Sequence, residues 1–143
     1  MIDTNVYIGF AAGRLPRDVK TMVDKGRLFH CTVCLAELAT GIANADPARS
    51  GWTAMRDYYV NLIADISPSR LLNPDAGVWA QAGLIAGTLA RTQNYQRHQR
   101  KECLNDALIA LTAAKAGLPV LTADRGEFDL IQQLAPESRF VYF

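Results

Sequence analysis

Short apolar segments alternate along this chain with longer segments of helical periodicity. The apolar segments end in polar or turn-forming residues, as in Ile2-Asp3 near the start and in PVLTAD at 119–124. Such alternation predicts parallel strands, because two parallel strands need a crossover connection that is usually a helix. We therefore predict an α/β protein with a short, mainly parallel sheet and helices on both faces. In folds of this kind, ligands bind at the carboxyl ends of the strands.

The expected helices have recognisable start and stop residues, such as Pro16 in a first turn and Gly117 after a last one. Asn105 is the expected N-cap of the helix that Gly117 ends. Helices are predicted at 6–12, 15–25, 32–44, 105–116 and 128–134, with two longer ones opening at Asp46-Pro47 and Asn73-Pro74-Asp75. The four or five strands are predicted at 1–2, at 28–32, near Ile66, at PVLTAD and at the terminal RFVYF.

Length and composition indicate one globular domain, 1–143. Half of the 143 residues are apolar and a fifth are charged, which is typical of a soluble protein with its own core. The net charge of +1 argues against bulk attraction to nucleic acid or to an anionic membrane. Any nucleic-acid site therefore has to be a local patch.

The sequence also predicts a cytoplasmic protein with no membrane partner. No apolar run approaches the length of about 20 residues that crosses a bilayer, and the N-terminus lacks the basic and apolar regions of a signal peptide. The three cysteines are too few and odd in number for a disulfide framework, as expected in a reducing compartment.

Four acidic residues fall where strand ends and helix starts are expected to meet. Asp3 follows the first strand, Glu37 lies in the helix after the second, Asp106 begins a helix, and Asp124 follows PVLT. Glu37 and Asp106 lie in otherwise apolar stretches, where an unpaired carboxylate is costly. No basic residue adjoins Asp3 or Glu37 in sequence.

A divalent cation is one way to neutralise such a cluster. Clustered carboxylates raise one another's pKa until a hard cation binds, and Mg²⁺ or Mn²⁺ prefers oxygen ligands. A bound ion can orient a water, lower its pKa and stabilise the charge that develops on a phosphodiester. Each acid taken singly is an ordinary helix cap or surface residue, so only the joint placement favours the metal site.

Four motifs occur in order along the chain: MIDTNVYI, CLAELATG, NDALIALTAAKAG and LTADRGEFD. Together they resemble the successive motifs of PIN-domain ribonucleases, and most closely those of the VapC toxins of bacterial toxin-antitoxin pairs. The resemblance spans residues 2 to about 131. It implies a PIN-like three-layer α/β/α sandwich with four or five short, mainly parallel central strands.

The resemblance also implies the positions of three metal-binding and catalytic acids. The first acid of the family corresponds to Asp3, with the hydroxyl of Thr4 and the amide of Asn5 supporting the site. The second acid corresponds to Glu37 and the third to Asp106.

The fourth acid has two candidates. Asp124 occupies a position that is often Asn or Asp in the family and ranks first. Glu127 ranks second, because it precedes Phe128 where relatives usually have an Asp before the matching Phe. Asp129 is expected to be structural.

The implied activity is Mg²⁺-dependent endonucleolytic cleavage of RNA by a metal-activated water, with Mn²⁺ as a substitute. The implied partners are the RNA substrate, a cognate antitoxin protein and a second copy of the chain in a homodimer. The alternative is a PIN-like module that binds RNA or a protein partner without cutting.

Two features depart from the family pattern. Only Met1 and Ile2 precede Asp3, where relatives have a longer first strand, so a start upstream of Met1 is one explanation. The segment RTQNYQRHQRKE at 91–102 stands where many relatives have a short Gly-containing turn. Its cations and Tyr95 suit single-stranded RNA or a partner, and a solvated helix end is the alternative.

The sequence Cys31-Thr32-Val33-Cys34 raises a rival hypothesis of a different class. A Cys-x-x-Cys at a strand-to-helix junction is the context of a thioredoxin-like site, where the thiol pKa is lowered. A zinc site would need further ligands, for which His30 and Cys103 are the candidates. We expect buried structural thiols instead, because a redox site would leave the four carboxylates unexplained.

Overall fold

The computed structural model describes the whole chain, Met1–Phe143, as seven α-helices and four short β-strands. In chain order the elements are α1 (Thr4–Ala11), α2 (Arg17–Lys25), β1 (His30–Cys31), α3 (Thr32–Asn44), α4 (Trp52–Ala64), β2 (Leu71–Leu72), α5 (Ala76–Thr92), α6 (Arg97–Lys115), β3 (Val120–Thr122), α7 (Arg125–Leu134) and β4 (Phe140–Tyr142). Helices alternate with parallel strands, so the predicted α/β class is confirmed. None of the helices is long and apolar enough to cross a membrane.

The strands form two parallel pairs. β1 pairs with β2, placing His30 opposite Leu71, and β3 pairs with β4, placing Val120 opposite Phe140. The four strands, each of two or three residues, form only these two pairs. The predicted single sheet of four or five strands is therefore not confirmed. β1 ends where α3 begins, and only Ala123 and Asp124 separate β3 from α7.

The first three residues lie between the two strand pairs. The amide of Ile2 donates a hydrogen bond to the carbonyl of Phe29 (3.1 Å), just before β1. On the other side, the amide of Leu121 donates to the carbonyl of Met1 (2.8 Å), and the amide of Asp3 donates to the carbonyl of Leu121 (3.1 Å). Asp3 therefore lies beside β3, at the end of a segment that is bonded on one side to β3 and on the other, through Ile2, to the residue before β1.

Helix α6 forms the centre of the core. Its middle section from Ala107 to Ala113 is buried on all sides, and the helix packs against α3, α5 and α7. At its C-terminal end, Gly117 adopts φ 69°, a left-handed conformation that glycine adopts at little cost and that ends helices. The predicted stop at Gly117 is therefore confirmed, and the chain turns there into β3.

The predicted start of that helix is wrong. Asn105 was expected to cap it, but α6 begins at Arg97, with Gln96 as its N-cap. Gln96 and Gln99 form a capping box, in which each side chain accepts a hydrogen bond from the other residue's backbone amide. Asn105 and Asp106 therefore lie inside the helix. The prediction failed because the first residues of α6 belong to the polar segment RTQNYQRHQRKE, which has no apolar residues at helical spacing.

Three other predicted elements are displaced along the chain. The strand expected near Ile66 is Leu71–Leu72, preceded by a 3₁₀ turn at Pro68–Arg70. Helix α4 begins at Trp52, after Gly51 with φ 83°, and not at the Asp46-Pro47 signal. Helix α7 begins at Arg125, because the side chain of Asp124 caps it.

The central position of α6 predicts a large stability cost for truncating one of its buried side chains. Leu108→Ala is expected to lower the free energy of unfolding by about 2–5 kcal/mol, because it removes methyl groups from a closely packed site. The control is Leu84→Ala on α5, whose residue is 74% exposed and whose truncation should change stability by less than about 0.5 kcal/mol. Urea denaturation measures both, and equal costs would contradict a core centred on α6.

Candidate active site

Asp3 lies at the end of the first extended segment and is 4% exposed. Its Oδ1 accepts a hydrogen bond from the Thr4 amide (2.6 Å), and its Oδ2 accepts from the Asn5 side-chain amide and from the Thr122 hydroxyl (2.7 Å). Burial, and then the repulsion of Glu37 and Asp124, raise the pKa of Asp3 to about 6. The predicted support from Asn5 is thus a direct contact.

Glu37 projects from α3 and joins three helices. One of its carboxylate oxygens accepts a hydrogen bond from the hydroxyl of Thr4 in α1. The other accepts from the side-chain amide of Asn105 in α6 (2.7 Å). Thr4 therefore supports Glu37 through its hydroxyl and Asp3 through its amide.

Asp106 is the acidic side chain whose pKa is raised most. Its side chain takes part in none of the hydrogen bonds or ion pairs of the chain. Burial first, and then the negative charges of Asp3, Glu37, Asp124 and Glu127, raise its pKa to about 9. Five carboxyl groups from four parts of the sequence therefore lie near one another here, and no lysine or arginine is paired with any of them.

The structure brings both candidates for the fourth acid close to Asp106, but in different roles. Asp124 is exposed, and its Oδ1 accepts from the Glu127 amide (3.1 Å) as the N-cap of α7. Glu127 has one oxygen bound to the hydroxyl of Tyr95 (2.7 Å), while its Oε1 is buried without a hydrogen-bond partner. Glu127 therefore has a free buried oxygen, whereas Asp124 already caps a helix.

Asp129 stands apart from this group. Its Oδ1 accepts a hydrogen bond from the hydroxyl of Tyr142 (2.7 Å), which ties α7 to β4. Its charge is not among those that raise the pKa of Asp3 or Asp106. This contact agrees with the structural role expected for it.

Sequence reasoning did not identify three polar side chains that contact these acids. They are Asn105, Thr122 and Tyr95. Thr122 could have been found, because it directly precedes the Ala123-Asp124 turn at the end of a strand. Nothing in the local sequence links Tyr95 to Glu127, which is 32 positions away.

The acidic site fits a divalent cation by the chemistry of its donors. Hard cations take carboxylate oxygens, and the buried Oε1 of Glu127 is an oxygen without a partner. The geometry is not that of a formed metal centre, since no three acidic, histidine or cysteine side chains are arranged around one point. The oxygens of Asp3 and Glu37 are occupied by hydrogen bonds, so ligation would exchange some of these for metal bonds.

The three cysteines do not support the redox alternative. Cys31, Cys34 and Cys103 are all free and buried. Burial raises the pKa of each thiol, whereas a thioredoxin-like site needs a thiol pKa below the usual range. No zinc-binding group of residues is present either.

A polar groove of about 620 Å³ lies next to the acidic site between α3 and α6. Glu37 and Asn105 belong both to this groove and to the site. Farther along it are Trp79, whose side chain is largely exposed, and His98 and Lys101 from the basic segment. The part of that segment from Arg97 onward lies on α6, the helix that carries Asp106.

Short parallel strand pairs, a buried helix and a group of acids near the strand ends define an α/β protein with an acidic site. The chain belongs to the PIN-domain family, whose model it matches over residues 1–133. The predicted resemblance to PIN-domain proteins of the VapC kind is confirmed by this match and by the solved structures that share the fold.

Three of the solved structures that share the fold are FitAB, VapBC-1 and FitAcB. FitAB bound to the IR36 DNA fragment is 22% identical, with a TM-score of 0.68 over 99% of this chain and 92% of that one. VapBC-1 from nontypeable Haemophilus influenzae is 20% identical, with a TM-score of 0.67 over 99% and 96%. FitAcB from Neisseria gonorrhoeae is 25% identical, with a TM-score of 0.64 over 97% and 94%. No curated protein sequence gives a significant match.

The raised pKa of Asp106 predicts that the metal-free protein loses stability as the pH rises. Between pH 5 and pH 8 the Asp106 carboxyl is protonated in the folded state, where its pKa is about 9, but ionised in the unfolded chain, where it is about 3.9. The folded state then holds one more proton. The free energy of unfolding should therefore fall by about 1.4 kcal/mol per pH unit from this group alone.

Denaturant titrations in chelator at pH 5, 6, 7 and 8 measure this slope. Asp106→Asn cannot ionise and should reduce the slope by about 1.4 kcal/mol per pH unit. The exposed Asp57→Asn serves as the control and should leave it unchanged. A slope that is equal in wild type and Asp106→Asn would show that Asp106 is ionised in the folded protein.

Proposed function

We propose that this protein is a metal-dependent endoribonuclease and the toxin of a VapBC-type toxin-antitoxin pair. The observation that carries the proposal is the convergence of Asp3, Glu37, Asp124 and Glu127 on Asp106 without a basic partner. Burying several like charges together is costly. A fold that retains such an arrangement is best explained by a cation that binds to it, and perturbed carboxyl groups in a cleft are typical of functional sites.

Asp3, Glu37 and Asp106 are the residues proposed to hold Mg²⁺, or Mn²⁺ in its place, together with Glu127 or Asp124. The free buried Oε1 of Glu127 favours Glu127, because Asp124 is engaged in capping α7. The chemistry supplied by such a cation is the activation of a water and the neutralisation of charge on a phosphodiester. Within the site, Thr4, Asn5, Asn105 and Thr122 orient the acids, and one of the carboxylates accepts the proton of the attacking water.

RNA is the proposed substrate, and the groove between α3 and α6 is its proposed path from the site. Lys101 and His98 would face phosphates there, and the exposed ring of Trp79 could stack on a base. This is a local patch, as a net charge of +1 requires.

An antitoxin protein is the proposed partner, and a homodimer is the proposed assembly. Support for the antitoxin comes from structural neighbours such as VapBC-1 and VapBC-5, the latter described as a member of the VapBC family of toxin-antitoxin systems. The homodimer rests on the resemblance to VapC toxins. We further propose that the chain forms one domain and acts in the cytoplasm, where RNA is available and its three free thiols stay reduced.

The test is cleavage of a mixed structured RNA pool by purified protein, with Mg²⁺ or Mn²⁺ and with chelator. Wild type is expected to cut only with metal. Asp106→Asn and Asp3→Asn should each lower the rate by about 100-fold or more, because each removes a carboxylate from the site. Asp129→Asn is the matched control, since it changes an acid of α7 that lies outside the cluster.

Each outcome of this experiment separates the alternatives. Equal cutting by wild type, Asp3→Asn and Asp106→Asn would identify the activity as contamination. Metal binding and RNA binding without cutting, in folded protein free of antitoxin, would favour the PIN-like module that binds without cutting. Loss of activity in Asp129→Asn to the same degree would show that the effects come from general destabilisation.

A further inference from the structure

The connection between α5 and α6 is built to hold Tyr95 in one place. The amide of Tyr95 donates a hydrogen bond to the carbonyl of Ala90 (3.0 Å), and its own carbonyl accepts from the Arg100 guanidinium (3.1 Å). Asn94 just before it adopts φ 55°, a left-handed conformation that asparagine tolerates better than most residues. Both backbone polar groups of Tyr95 are therefore satisfied within a loop of only a few residues.

This anchored residue reaches across to the acidic site. The ring of Tyr95 packs against the hydrophobic core, and its hydroxyl donates to Oε2 of Glu127 (2.7 Å). Burial and the Glu127 carboxylate raise the pKa of the Tyr95 hydroxyl, so it stays protonated and remains a donor. One oxygen of Glu127 is thereby occupied, and the other, Oε1, is left buried without a partner.

The groups around the free oxygen of Glu127 satisfy it poorly, because they are another carboxyl group, Asp106, and the Cys103 thiol, which is only a weak hydrogen-bond donor. Glu127 lies close enough to Asp106 to contribute to its raised pKa, and it also raises that of the buried Cys103 thiol. A buried carboxylate oxygen without a strong donor destabilises the fold. A cation in the cluster would remove that destabilisation.

We propose that Tyr95 is a positioning residue, which binds one oxygen of Glu127 so that the other is presented to a divalent cation in the acidic cluster. This inference rests on the proposed function. It gives the RTQNYQRHQRKE segment a role within the metal site, in addition to the nearby groove. Partners of this kind, one step removed from the metal, commonly change metal affinity by about 10–100-fold when they are mutated.

The test is Tyr95→Phe, which keeps the ring and removes only the hydroxyl. Calorimetric titration with Mn²⁺ should show affinity reduced by about 10–100-fold. In RNA cleavage, the Mn²⁺ concentration for half-maximal rate should rise by the same factor, while the rate at saturating Mn²⁺ should stay close to that of wild type. Tyr95→Phe should add no further loss of Mn²⁺ affinity to a Glu127→Gln variant, because both act through one carboxylate.

The chain offers a closely matched control in Tyr142→Phe. Its hydroxyl also donates to an acid of α7 at 2.7 Å, but that acid is Asp129, outside the cluster. Tyr142→Phe should leave Mn²⁺ affinity unchanged, even where it lowers the melting temperature in chelator as much as Tyr95→Phe does. Equal effects of the two variants on Mn²⁺ affinity would overturn the positioning role in favour of general support of α7.

Two further outcomes separate this inference from the proposed function. Wild-type protein that binds Mn²⁺ and cuts RNA, with unchanged affinity in Tyr95→Phe, would overturn the role of Tyr95 and leave the proposed function standing. Wild-type protein that is folded and binds no Mn²⁺ would overturn both.

Discussion

Three backbone hydrogen bonds of the first three residues connect the β1–β2 strand pair with the β3–β4 strand pair. Ile2 is bonded to Phe29 beside β1, while Met1 and Asp3 are bonded to Leu121 in β3. Isolated pairs of such short strands are marginally stable, since independent stability usually needs three or more strands or packing against a helix. The N-terminal segment supplies the missing backbone contacts and brings Asp3 to the middle of the site.

This arrangement explains why the acids meet where they do. Asp3 and Asp124 each cap a helix that begins just after an extended segment. Glu37 and Glu127 lie within the first two turns of such helices. Asp106 comes from a different direction, from within α6, at the point where that helix passes from its exposed start into the core. The acids therefore repel one another. Their hydrogen-bond donors are neutral side chains and not lysines or arginines; these donors are Asn5, Asn105, Thr122 and Tyr95.

Neutral donors have a specific consequence for a metal site. A lysine or arginine would satisfy a carboxylate permanently and compete with a divalent ion through its charge. Hydroxyls and amides orient a carboxylate, and a hard cation can displace them from one oxygen at a modest cost. The site is therefore ordered, and no positively charged side chain competes with a divalent cation for the acids.

Local pattern determined much of this structure. The alternation of apolar and helical segments predicted the α/β class, Gly117 marked the end of α6, and the strand-end positions of Asp3 and Asp124 marked the acidic edge. These features depend on periodicity, capping and turn chemistry over a few neighbouring residues, so they can be read from the sequence. The motifs also predicted membership in the PIN-domain family, which the match over residues 1–133 shows.

Only the tertiary structure decided which side chains face each other. The Asn105–Glu37 and Tyr95–Glu127 hydrogen bonds join residues that are far apart in sequence, and these pairings depend on how α3, α6 and α7 pack. The start of α6 at Arg97 was likewise evident only in the structure. The same packing left Glu127 with a free buried oxygen and gave Asp124 the role of a helix cap. Sequence encodes the local preferences of each element, whereas distances between elements follow from burying their apolar faces together, and the partner of each carboxylate is set by those distances.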